Sequence, residues 1–117
     1  MSAAGRLQRY AELAVRVGAN VQPGQDVVVS GAVEHAPVAR AVMREAYRAG
    51  AHHVLPLYRD AHARRAAVEL GPEESLGWSA PHELAWVEWA GETHPAVIAL
   101  AGDPEPELLS DLDSDLV

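Results

Sequence analysis

Apolar residues recur along the chain in two patterns, a helical spacing in some stretches and short continuous runs in others. Leu7, Tyr10, Ala11, Ala14 and Val17 share one face, while Arg6, Arg9, Glu12 and Arg16 take the others, which predicts an amphipathic helix from about Leu7 to Val17. Gly18 suits the left-handed residue that ends a helix. In Gln22-Pro23-Gly24-Gln25, proline and glycine occupy the central positions of a type II turn. The β-branched run Asp26 to Ser30 then reads as a strand buried on both faces, broken at Gly31. A second helix is expected from about Pro37 to Ala49, with Val38, Ala41, Val42, Ala46 and Ala49 as its apolar stripe and Gly50 as its stop.

The remainder alternates in the same way. His53 to Tyr58 reads as a strand whose Pro56 cannot donate to a ladder, so it is an edge strand or carries a bulge. Asp60 caps a third helix that runs to about Leu70 and closes at Gly71-Pro72. Pro81 to Ala90, followed by Gly91, reads as a fourth helix, and Pro95 to Ala101 as a third strand stopped by Gly102-Asp103-Pro104. Glu105 to Leu116 has the makings of a further helix with no strand after it. The order is α-β-α-β-α-α-β, and helical crossovers of this length connect parallel strands with a right-handed turn. The fold class is therefore α/β: one small three-layer domain over residues 1–117, with a mostly parallel sheet of about three strands and flanking helices.

Composition narrows the chemistry. The chain has 117 residues, enough for one domain that hides roughly two-thirds of its unfolded surface. It contains neither cysteine nor lysine, which removes thiolate nucleophiles, disulfides, Cys-ligated zinc, Schiff bases and the P-loop lysine. Nine arginines against 17 acids give a net charge of −8, which argues against binding a nucleic-acid backbone. No apolar run approaches the ~20 residues that span a bilayer, and the stretch after Met1 has no apolar leader core, so a cytoplasmic location is expected.

No complete active site can be assembled from the residues. His82-Glu83-Leu84-Ala85-Trp86 begins like a zinc-protease HExxH helix, but Trp86 cannot ligate. His52-His53 looks like a metal pair, but adjacent strand residues point to opposite faces, so the rings are expected to diverge as two partly exposed histidines at a strand entrance. Ser30 to Pro37 lies at a strand-to-helix junction, where doubly wound folds place ligands. It has one glycine, and Glu34 there would repel a phosphate. Glu34 and His35 are the best candidates for a polar role at that junction; a triad through Ser30 lacks the GxSxG elbow. Asp111-Leu112-Asp113-Ser114-Asp115 opens like a calcium loop but has Leu116 where an EF-hand needs glycine, so a solvated acidic tail is expected. Trp78, Trp86 and Trp89 are expected to pack the late helices onto the sheet, and Arg64-Arg65 to lie on an exposed helix face.

Two stretches carry a resemblance. Tyr10-Ala11-Glu12-Leu13 through Val17-Gly18-Ala19-Asn20-Val21-Gln22-Pro23-Gly24-Gln25 to Val29 is followed by Ala46-Tyr47-Arg48-Ala49-Gly50-Ala51-His52-His53-Val54. Ala36 to Ala41 lies between them, and Tyr58-Arg59-Asp60 and Ile98 to Leu109 continue the match after them. In this order they resemble the amino-terminal start of the thermophilic-type leucyl metalloaminopeptidases, the aminopeptidase T and aminopeptidase S family.

The resemblance implies enzymes several times longer that remove amino-terminal residues from peptides with cobalt, zinc or similar ions. Their metal ligands lie in a carboxy-terminal domain, so it assigns no catalytic, cofactor or metal residue to this chain. What it carries over is an α/β amino-terminal domain that packs beside the missing catalytic domain and helps wall the substrate cleft, with Glu34 and His35 as candidate cleft-lining residues. On that reading the chain alone is inactive. A domain separated from such a partner exposes an apolar patch, expected around Trp86, Trp89 or the C-terminal leucines, which favours a homodimer. A second reading is a stand-alone module that binds a peptide or partner protein. A third is a small-molecule binder using the junction from Gly31 to Pro37.

Overall fold

The computed structural model describes residues 2–102, 108, 110–112 and 115. The helix expected from Glu105 to Leu116 falls mainly outside these residues. The chain opens with helix α1 (Ala3–Glu12), whose N-cap Ser2 accepts the Gly5 N–H at 3.0 Å, so the helix begins ahead of its apolar stripe. Its continuation, Leu13–Gly18, is a π-helical turn closed by the Ala19 N–H on the Ala14 carbonyl. The extra residue in that turn rotates the buried face. Val15 is fully buried and Val17, expected in the stripe, is 72% exposed. The left-handed residue that releases the chain is Asn20 (φ 49°), two positions after the expected Gly18.

The turn at Gln22–Gln25 forms as expected, with Gly24 at φ 82° and the Gln25 N–H on the Gln22 carbonyl. It leads into β1 (Asp26–Ala32), a short 3₁₀ turn (Val33–His35), α2 (Ala36–Arg48) and β2 (His53–Arg59). Then come α3 (Ala61–Leu70), capped by Asp60 on the His62 N–H, α4 (Pro81–Thr93) and β3 (Ala96–Ala99). Gly91 does not end α4; His94 does, at φ 51°. The strands form one parallel sheet in the order β2-β1-β3, so Pro56 sits on an edge strand, where a missing N–H is tolerated. Nor does Gly31 break β1. A Cβ there would stand 3.1 Å from both His35 Nδ1 and Leu100 Cβ, so the glycine permits a close approach within the strand.

Val27, Val28 and Val29 are buried on both faces of β1. On one face Val27 and Val29 pack with Ala11, Val15, Ala39, Val42, Ala46, Val54 and Ile98 under α1 and α2. Right-handed crossovers in this strand order place α3 and α4 on the opposite face. There Asp26, His53 and Leu55 meet His82, Ala85, Trp86 and Trp89 of α4 around a hollow of about 460 Å³. This third layer is thin. No side chain of α4 is buried, and Trp78, expected to pack, is 67% exposed. The radius of gyration, 16.7 Å, exceeds the roughly 13 Å of a compact domain this long.

One buried carboxylate joins α1 to α2. Glu45, 4% exposed, accepts from Arg16 Nε at 3.0 Å, Gln8 Nε2 at 3.1 Å and Arg48 Nη1 at 3.2 Å. Burial works against its charge, but the hydrogen bonds from Arg16, Gln8 and Arg48 outweigh it and hold its carboxyl below the usual value. Stability gained this way is complete above the ordinary carboxylate range and is lost as the pH falls through the folded-state value. Glu45→Gln should lower the unfolding free energy by about 1–2 kcal/mol at neutral pH. In urea titrations the gap from the parent chain should narrow as the pH falls below 4. Gly31→Ala should cost about 1–3 kcal/mol, because the added methyl meets Leu100 Cβ rather than the end of a flexible chain. An unchanged melting temperature would show that Leu100 and His35 move aside freely.

Candidate functional site

The strand order reverses between β1 and β3, and open α/β sheets bind ligands outside the carboxyl ends of the strands at such a point. Here that place is built from the end of β1, the 3₁₀ turn and the chain leaving β3. Leu7, Tyr10, His35, Val38, Leu100 and Ala101 line a crevice of about 240 Å³. The Leu100 N–H donates to the Ser30 carbonyl at 2.7 Å and holds the two walls together.

His35 is fixed by its own backbone. The Ala32 N–H donates to its Nδ1 at 3.1 Å, so in the neutral ring the proton sits on Nε2. Nε2 lies on the Gly102 side, where a Cβ would come within 3.8 Å of it. The crevice thus offers one positioned N–H donor among mostly apolar walls, with the Tyr10 ring at its rim. That arrangement can orient a carbonyl or another neutral acceptor. Glu34 is exposed on the same turn and is not among the crevice residues. Ser30 is half-buried within the sheet, and among the described residues no base is bonded to it to make a nucleophile–base pair.

The hollow under α4 gathers histidines that strand alternation would have separated. His52 precedes β2, so alternation does not govern it, and His52, His53 and His82 all line the same space. His52 Nδ1 meets Asp26 Oδ1 at 2.8 Å, and the buried Trp86 indole N–H has no hydrogen-bond partner among the described residues. Even so, no group of three or more His, Asp or Glu side chains among the described residues is placed to hold a metal ion, and the residues present do not fit a divalent-metal centre.

Arg65 also departs from expectation. It is only 27% exposed and donates to both carboxylate oxygens of Asp111, at 2.7 and 3.0 Å, and to the Leu108 carbonyl at 2.7 Å. Its hydrogen bonds hold the Asp111 carboxyl below the usual value, so that acid is paired although its side chain remains 64% exposed. The two residues are 46 apart in sequence, and no local pattern announces the pairing.

Comparison with known proteins gives this geometry its relatives. The chain matches the thermophilic metalloprotease (M29) family over residues 3–117. It is 36% identical to Aminopeptidase 2 of Geobacillus stearothermophilus over 107 residues, which is 92% of this chain and 26% of that protein. It is 33% identical to Aminopeptidase AmpS of Bacillus subtilis over 93% of this chain and 26% of the relative. The solved structure of wild-type AmpT from Thermus thermophilus superposes with a TM-score of 0.83 at 31% identity, covering 97% of this chain and 28% of that one. The chain therefore spans about a quarter of the length of the curated relatives it matches along nearly its whole extent. Among the described residues no helix is long and apolar enough to cross a membrane. On the family match and the shared fold together, this chain belongs to the M29 family of thermophilic metalloproteases.

Proposed function

We propose that the chain is the amino-terminal α/β domain of a metal-dependent aminopeptidase that removes amino-terminal residues from peptides, and that the domain alone does not hydrolyse them. One observation carries the reading: relatives named aminopeptidases match over more than nine-tenths of this chain but about a quarter of their own length. The crevice at His35 offers a fixed donor and apolar walls, which suits a supporting role. In this reading the cobalt or zinc site belongs to the carboxy-terminal domain, and no step of the hydrolysis is assigned to this chain. The crevice then stands at the wall of the substrate cleft. In this reading the His35 Nε2–H donates to a peptide carbonyl, with the exposed Glu34 on the same turn.

Leucyl-p-nitroanilide hydrolysis with added cobalt tests this on two proteins, the 117-residue chain and the product of its full reading frame. Release of nitroaniline by the longer product alone is the expected result. Release by the 117-residue chain overturns its assignment as an inactive domain. If neither protein hydrolyses the substrate or a leucine-terminated peptide, the aminopeptidase reading falls and a stand-alone module that binds a peptide or partner protein replaces it.

A further inference from the structure

The two edges of the sheet are built differently. β2 carries Pro56 in its ladder and ends at Arg59, devices that discourage further pairing. β3 is Ala96-Val97-Ile98-Ala99, with no proline and no charge. The Leu100 N–H points to β1, and backbone groups alternate sides along a strand, so Val97 and Ala99 turn their N–H and C=O groups to the outer edge. Among the described residues no strand pairs with that edge. Val97 is 61% exposed although its neighbour in register, Val28, is fully buried.

Topology says what fills the gap. The order β2-β1-β3 is the beginning of the doubly wound order 2-1-3-4-5, in which a fourth parallel strand lies against the third. A right-handed crossover from β3 to such a strand runs in the same direction as the one from β2 to β3. Its helix must then lie on the α3–α4 face. That is the face on which Val97 stands uncovered. The chain beyond β3 already turns that way, since Arg65 of α3 holds the Leu108 carbonyl and Asp111.

We propose that β3 is an interior strand of a larger sheet. Its outer edge takes a parallel strand from the polypeptide that follows this domain, and the connecting helix covers Val97. The inference rests on the reading of this chain as one domain of a longer enzyme, and it adds how the two parts are joined: by backbone hydrogen bonds across a shared sheet.

Hydrogen exchange tests the joint directly. In the 117-residue chain the Val97 and Ala99 amides should exchange fast while the Leu100 amide is protected; in the full reading-frame product all three should be protected, with a gain of about tenfold or more at Val97 and Ala99. Val97→Asp should leave the short chain's melting temperature unchanged within error and lower that of the longer product by several degrees. Equal exchange at Val97 and Ala99 in both proteins overturns the inference. So does protection in the short chain that rises with its concentration, because a second copy would then occupy the edge. Peptide hydrolysis is a separate readout. An active longer product with an unprotected β3 edge removes the joint and leaves the enzyme, and a protected edge without activity does the reverse.

Discussion

Three consecutive valines have to be kept from water on both sides of one strand, and the rest of the molecule is arranged around that demand. Val27 and Val29 point to one face and Val28 to the other, so a single helical layer cannot satisfy β1. Strands on both flanks and helices on both faces follow from it. The first face is closed well, by α1 and α2 pressing small residues such as Ala11, Ala39 and Ala46 close to the sheet. The second is closed less completely: Val28 is buried there, but α4 stands above a hollow.

The same strand sets the position of the crevice. Because β1 is central and parallel to both neighbours, its carboxyl end is where chains diverge to opposite faces. Gly31 lets His35 and Leu100 come close enough there to narrow the opening. The backbone N–H of Ala32 then decides which ring nitrogen of His35 carries the proton. Packing and proton placement at this point are one arrangement.

Much of the fold was legible because its signals are local. The proline–glycine turn, the cap at Asp60, the stop at Gly50 and the edge position of Pro56 each follow from the conformational preference of one or two residues. Other features depend on contacts that no local pattern carries. Gly31 reads as a breaker until Leu100 is seen beside it. Arg65 reads as surface until Asp111 folds back onto it. The crevice was legible only in part. The strand-to-helix junction pointed to Glu34 and His35, but the partners of His35 come from α1 and from beyond β3, and no spacing rule connects them.

The π turn at Leu13–Gly18 reaches further than its own length. An α-helix advances about 100° per residue, so inserting one residue swings every later side chain by that angle. The helix therefore works in two phases. Its first ten residues aim Gln8 and Ala11 at α2, and the turn after them re-aims the chain so that Val15 goes inward and Arg16 reaches Glu45. Removing one residue from this turn would make the helix more regular and the domain less coherent, since the phase that serves α2 is not the phase that delivers the chain to β1. At this place a local irregularity is what allows the global fit.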